Sequence, residues 1–337
     1  MSASNAMRFM ADSTGDYGLA LKMYMGSLVE AFRDKTYLFD SPGIMRKNAV
    51  GTNQHQFLML SELPEPESHT PGDELLGQQF EIQDGTITID DILVSHFDVP
   101  LDQIVLSHFS VVNELAPRSA LELARSYDQR LTNLVINTAR TSSVSKNGLV
   151  IHGGGNRVAN SGTTLAGRYP DSSTGAQNFR GDAAQLAQLM DEDNVPEEGR
   201  VMYIDPYVRR VLGRDSTIFD VRFSPGNPNN LDRRAIGLLE GFTIIPMVGR
   251  LPSTVVTQYS QSKYNGNFTA ATGGLPAAFA LSSATSGQAA VGAVTALGIN
   301  SKMVEDDRRN TTFIKSQMLM GAGQLHPWCA GVIDVTT

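Results

Sequence analysis

SKMVEDDRRNTTFIKSQMLMGAGQLHPWCAGVIDV, from Ser301 to Val335, is the stretch that decides how this chain is read. Glu305, Asp306, Asp307, Arg308 and Arg309 form a charged turn of helix-forming residues that leads into an apolar run containing Met318 and Met320. Gly321 and Gly323 break that run, Pro327 stops the chain again, and a last apolar segment follows. The stretch supplies no nucleophile, metal cage or phosphate cradle. What it supplies is the closing strand pairing of a folded domain.

Composition supports a packed protein around that closing pair. The chain has 337 residues, 41% of them hydrophobic and 18% charged, which is enough to bury a sizeable core in more than one lobe. Formal net charge is -8, and no block of lysine and arginine is longer than a pair. That balance excludes the basic stripe of a dedicated duplex-DNA reader. The single cysteine, Cys329, rules out an intrachain disulfide and fits a reducing cytosol. No apolar window reaches the roughly 20 residues of a membrane-spanning helix. The N-terminal residues lack the charged-then-apolar order of a secretory signal. Together these features predict a soluble, mildly acidic protein that is intracellular when made.

The first 50 or so residues are rich in Met, Ser and Gly, with Leu19, Met23, Leu28 and Phe32 at the spacing of one short amphipathic helix, ended by Ser41-Pro42-Gly43. Its aromatic content predicts an arm that docks rather than frays. Gln56 to Leu60 reads as an apolar strand, and a polar, proline-punctuated tract runs from Glu62 to Gly77. Ile87, Ile89 and Ile92 then alternate through a return strand. Two strands with a long polar tip make an extended hairpin too thin to hold its own core, which predicts ordering by another subunit.

Glu114 to Arg140 carries Leu121, Ala124, Tyr127, Leu131, Leu134, Val135 and Thr138 on one helical stripe, with Pro117 placed as a helix start. Ser142 to Asn178 is rich in Gly, Ser and Asn and predicts loop. A second helix is predicted over Asp182 to Pro196, then a strand over Val201 to Ile204 that breaks at Asp205-Pro206 into another helix. A turn at Gly241 precedes one more strand, and residues 251–287 again favour loop.

Candidate chemistry fails motif by motif. His152-Gly153-Gly154-Gly155 is shaped like an esterase oxyanion loop, but no Gly-x-Ser-x-Gly elbow exists to partner it, so a flexible loop explains the glycines. The six histidines show no metal-ligand spacing, and His326 before Pro327 reads as a buried or capping residue. Asp191, Glu192, Asp193, Glu197 and Glu198 lack the calcium-loop pattern and read as a solvated helix end. No phosphate-binding glycine motif occurs. Asp90 and Asp91 are neighbours on a strand and face opposite sides, so they cannot share a substrate. The reading is an assembling structural protein with no catalytic residues, cofactor or metal.

The order arm, long hairpin, spine helix, loop, Val-Pro helix end, strand-Pro, Gly-Phe strand and closing segment resembles the major capsid proteins of tailed bacteriophages. Four stretches carry the likeness: TITIDDILVSHFDV (Thr86 to Val99), NVPEEGRVMYIDPYVRRVL (Asn194 to Leu212), RRAIGLLEGFTIIPMVGRLP (Arg233 to Pro252) and FIKSQMLMGAGQLHPWCAGVI (Phe313 to Ile333). The first looks like short-tailed, T-seven-like phages. The last resembles the family ending Gly-x-Gly-x-Leu-x-Pro-x2-Ala-Gly. Residues 1–50 and 255–295 show no convincing match.

The resemblance implies an α+β, Hong Kong-phage-like major capsid fold. It implies an N-terminal arm (1–53), an extended loop (54–103), a peripheral domain (104–199) with its spine helix at 114–140, an axial domain (200–300), and a return to the peripheral domain (301–337). The partners implied are copies of the same chain in hexamers and pentamers, a scaffolding protein, a portal, possible decoration proteins, and packaged DNA touched without sequence specificity. Candidate inter-subunit contacts are Asp73, Glu74, Phe80, Ile87, Ile89, Asp90 and Asp91. An encapsulin-type nanocompartment shell is the nearest alternative. A soluble hydrolase and a DNA-packaging accessory protein are more distant ones. No Lys–Asn isopeptide pair can be mapped, and none is expected to form.

Overall fold

β14 (Val291–Asp306) and β15 (Thr311–Gln324) form a long antiparallel hairpin, with Glu305 and Asp306 opposite Thr312 and Thr311. Glu305 and Asp306, expected to be helical, are therefore the end of a strand. Asn310, at φ 53°, supplies the left-handed residue beside the turn. β15 is sealed on its other side by β4 (Asp91–Pro100), paired from Thr311↔Pro100 to Met320↔Asp91. This two-sided pairing overrides local helix propensity. Gly321 and Gly323 do not break the run either, since β15 passes through both.

The computed structural model describes residues 18–49, 51–60, 66, 68–69, 74, 77, 82–100, 111–146, 149–215, 237–282, 289–306 and 309–337. One sheet has the order β1–β14–β15–β4, where β1 (Ile44–Asn48) lies parallel to β14. Along β15 the side chains alternate, with Thr312, Ile314, Ser316, Met318 and Met320 buried.

Against this inner face lie α1 (Gly18–Lys35) and the long α2 (Val111–Ala139). The 29 residues of α2 extend about 44 Å. It begins six residues before Pro117, so the proline costs an intrahelical bond instead of opening the helix. Ala124, Tyr127, Leu131, Leu134, Val135 and Thr138 are buried as the spacing predicts, while Leu121 stays partly exposed. Leu123, Asp128, Thr132, Asn133 and Ile136 are buried too, because α2 is enclosed on several sides. On α1 the buried stripe is Tyr24, Leu28 and Phe32, and Met23 is 58% exposed. The helix ends at Lys35, ahead of Ser41-Pro42-Gly43, and docks on α2 of its own chain.

The second sheet runs β7–β16–β13–β8–β10–β9. Its strands are β7 (Asn156–Ser161), β8 (Val201–Ile204), β9 (Leu238–Leu239), β10 (Phe242–Pro246), β13 (Leu275–Leu281) and β16 (Ala330–Thr336). α3 (Ser173–Glu192) and α4 (Pro206–Leu212) pack on it. α4 starts as expected, with Asp205 accepting from the Tyr207 amide at 2.7 Å and Pro206 in the first turn. The β9–β10 turn has Glu240 at φ 46° and Gly241 at φ 83°, as the Gly241 signal predicts.

The tract read as loop over 142–178 instead contains β5 (Val144–Lys146), β6 (Leu149–His152), β7 and the first turns of α3. Likewise, residues 251–287 contain β11 (Val255–Val256), β12 (Gly266–Asn267) and β13, a strand in the middle of the second sheet. β7 is fixed by its parallel partner β16, far along the chain. A Cβ on Gly155 would lie 2.5 Å from the Ala139 backbone, so this glycine serves close packing on the end of α2 rather than loop freedom.

Candidate assembly surface

β2 (Gln54–Leu60) pairs antiparallel with β3 (Ile82–Thr88) from Gln54↔Thr88 to Leu60↔Ile82. At its base Phe57 and Ile87 enter a small cluster with Ala49, Val294 and Leu325. Further out no such support exists among the described residues: Leu58 is 63% exposed and Ile82 48%. The hairpin thus leaves the body with apolar side chains uncovered.

The joint between β3 and β4 is tightly built. The Ile89 amide donates to the Asn53 carbonyl at 2.7 Å. A Cβ on Gly321 would fall 2.1 Å from the Thr88 carbonyl oxygen, so only glycine admits this crossing of β15. Lys263 reaches Asp90 at 2.5 Å. The segment carrying Lys263 is tied to α2 by Asn133, which donates to the Tyr264 carbonyl at 3.0 Å, and by Asn137, which donates to the Asn265 carbonyl at 2.9 Å. The Tyr264 hydroxyl accepts from the Ala322 amide at 3.0 Å, just beyond the pairing of Met320 with the first residue of β4.

Period-two alternation runs straight through this joint, so Ile92 faces the opposite side from Ile87 and Ile89 and does not share their face. Ile87 is buried, Ile89 and Asp90 are intermediate, Ile92 is exposed and Leu93 is buried. The two residues between β3 and β4 keep the facing in phase, while the strand partner changes from β2 to β15. The return strand is therefore two strands in two different sheets.

Of the residues singled out as inter-subunit candidates, Ile87 is spent inside its own chain and Ile89 packs beside the same cluster. Asp90 is engaged by Lys263, Asp91 pairs across from Met320 at the start of β4, and Glu74 is exposed. Asp73 and Phe80 lie outside the described residues. Local reading missed Leu58 and Ile82 as exposed apolar positions, and Lys263 as an anchor. One sequence signal was available: no lysine or arginine occurs from Asn48 to Pro117.

Two buried carboxylates hold the body that bears the hairpin. Asp334, fully buried, accepts from Arg140 at 2.7 and 2.9 Å and from Arg157 at 2.8 Å. Arg140 also donates to the carbonyls of Asn267 and Gly274, closing the end of α2 onto β16. Asp128 on α2 accepts from the Tyr37 and Leu38 amides at 3.0 and 3.2 Å, with Arg250 at 3.5 Å. Burial dominates there and pushes its carboxyl up to about 6, against the pull of those two amides and Arg250.

Around this geometry no cluster of three or more His, Cys, Asp or Glu suited to a metal occurs among the described residues. The fold is the Hong Kong-phage-type capsid fold. The solved structures it matches include the capsid of cyanophage P-SCSP1u, with TM-score 0.74 and 23% identity over 90% of this chain and 89% of that one. The mature capsid of bacteriophage PhiM1 matches with TM-score 0.71 and 16% identity over 89% of each chain. A virus-like particle from Pyrococcus furiosus matches more weakly, with TM-score 0.51 and 11% identity over 93% of this chain and 99% of that one. No curated protein matches the chain in sequence.

A major capsid protein model described as Gp10A-like covers residues 65–334, and the chain belongs to that family. It is a structural protein of the virion that forms the capsid shell.

Proposed function

We propose that the chain closes its shell by laying the β2–β3 hairpin and the acidic tract beyond it on an adjacent subunit, within hexamers and pentamers that enclose phage DNA. The observation that carries this reading is the exposure of Leu58 and Ile82 on a two-stranded ribbon whose core stops at Phe57 and Ile87. Such a ribbon gains stability by being covered, so its ordering and the assembly of the shell are coupled. In this reading residues 54–103 are the extended loop, the α2 body is the peripheral domain, and residues 200–300 form an axial domain. Residues 1–53 are then an arm of which α1 stays on its own subunit.

The same reading has the shell assemble in the host cytoplasm with a scaffolding protein and a portal, without enzymatic activity and without an isopeptide weld. Decoration proteins would bind its outside, and packaged DNA would touch it without sequence specificity.

Deleting residues 62–77 tests the central claim. The expected product is a folded, soluble subunit that forms no closed shells in negative-stain electron microscopy or sedimentation. Normal shells from the deletion variant would overturn it. A subunit ladder from mature particles on a denaturing gel would overturn the unwelded shell.

A further inference from the structure

The outer face of the β14–β15–β4 sheet carries two lysines and a histidine in one row across the strands. Lys302, Lys315 and His96 stand directly opposite one another on three adjacent strands. Lys302 and His96 are exposed and Lys315 is partly exposed. Among the described residues neither lysine is paired with a carboxylate. Like charges set across from one another weaken a sheet, so the two lysines work against the stability of the isolated subunit. Beside it the same face is apolar: Ile92 and Val94 on β4 and Val304 on β14 are 59%, 41% and 44% exposed.

A ligand for this face exists in the same chain. Residues 62–77 carry five carboxylates (Glu62, Glu65, Glu67, Asp73, Glu74) together with Leu63, Leu75 and Leu76, and no lysine or arginine. The tip is thus acidic and apolar, while the sheet face offers two facing lysines and a histidine flanked by apolar side chains and by one exposed carboxylate, Asp98.

We infer that the face formed by Lys302, Lys315, His96, Ile92 and Val94 is the seat of the acidic hairpin tip of a second copy of this chain. The inference rests on the reading of the hairpin as the inter-subunit element and adds where it lands and what holds it there. The charges set the register of the landing, and the apolar side chains supply burial. In the free subunit the two lysines repel each other; in the shell they are neutralised, so the contact favours the assembled state over the monomer.

Two measurements on the full-length chain test this. Zero-length carbodiimide cross-linking of wild-type shells, made from a mixture of isotopically light and heavy subunits, is read by mass spectrometry. Light–heavy cross-links from Lys302 or Lys315 to carboxylates within residues 62–77 are expected. Cross-links from that tract to other lysines, with none to these two, would overturn the inference while leaving the hairpin as the assembly element.

The second measurement is a charge exchange. Lys302→Glu with Lys315→Glu is expected to cut shell yield at least tenfold while the subunit's thermal melt stays unchanged. Adding Asp73→Lys and Glu74→Lys in the same chain is expected to restore shells. Normal yield from the lysine variant alone would overturn the inference, and so would full shells that fail only in retaining DNA. Failure of the proposed function itself would instead appear as normal shells from the 62–77 deletion.

Discussion

The Tyr24 hydroxyl lies 3.1 Å from Ser316 Oγ, joining α1 to β15 across 292 positions of sequence. Ser316 Oγ continues to Ser301 Oγ on β14 at 3.0 Å, and all three side chains are buried. A hydroxyl can donate and accept at once, so the chain of three satisfies its middle member fully. It orients α1 on the inner face of the first sheet, where apolar packing alone would let the helix slide. Ser316→Ala strands two buried hydroxyls and is expected to cost about 1–3 kcal/mol, whereas Tyr24→Phe removes one end and costs about 1 kcal/mol. Urea unfolding of the unassembled subunit measures both, and a larger loss for Tyr24→Phe would contradict the arrangement.

Gly321 permits the crossing of β15 by the β3–β4 joint. An added methyl would sit 2.1 Å from the Thr88 oxygen and 2.8 Å from the Ile89 Cα, both backbone atoms that cannot swing aside. Gly321→Ala is expected to destabilise the subunit by about 1–3 kcal/mol and to lower shell yield by tilting the hairpin base. Gly298→Ala is the control, since nothing lies within 4 Å of a Cβ there. Equal melting temperatures for the two variants would refute the crowding argument.

Acid should strengthen the Asp128 site. Burial pushes its folded carboxyl up to about 6, above the usual carboxylate range. The folded state therefore binds this proton more tightly than the unfolded chain does. The stabilisation is fully present below about 4 and is lost as pH rises through about 6. Relative to Asp128→Asn, the wild-type subunit is expected to gain about 2–3 kcal/mol between pH 7 and pH 4. Paired denaturation series across that range check the sign, and a wild type that loses ground to the variant on acidification would show the assignment to be wrong.

Asp334 is itself fully buried and holds two arginines, Arg140 largely buried and Arg157 partly exposed. Asp334→Asn leaves Arg140 without its charge partner and is expected to cost about 3–5 kcal/mol. Asp171→Asn, which weakens the solvent-screened surface pair with Arg214, is expected to leave the melt nearly unchanged. Soluble yield and thermal melts of the two variants side by side test the contrast.

Much of the body was legible wherever local chemistry and final structure agree. β8, the Asp205-Pro206 helix start and the Glu240-Gly241 turn fall where their residues predict. Tyr127, Leu131 and Val135 face the core as their spacing requires. The misreadings share one cause, which is pairing with a distant partner. Glu305 and Asp306 have helical propensity but lie on a strand, because β15 and β4 extend the sheet beside them. β7 appears as loop in the sequence because the strand that orders it, β16, lies at the far end of the chain. On α1 the expected stripe included Met23, but Tyr24 is the buried residue and meets Ser316, 292 positions away.

The sequence alone determined the class of this protein: the order of its elements, the absence of catalytic motifs, the thin hairpin and the acidic tip, each readable from residue type and spacing. Tertiary structure alone decided where the hairpin is anchored and which of its side chains are free for a neighbour. Ile87 is buried because Gly292, Gly323 and Val294 surround it, and Leu58 is exposed because no described residue of its own chain covers it. Burial is a property of what arrives from elsewhere in the chain, and no local pattern records it.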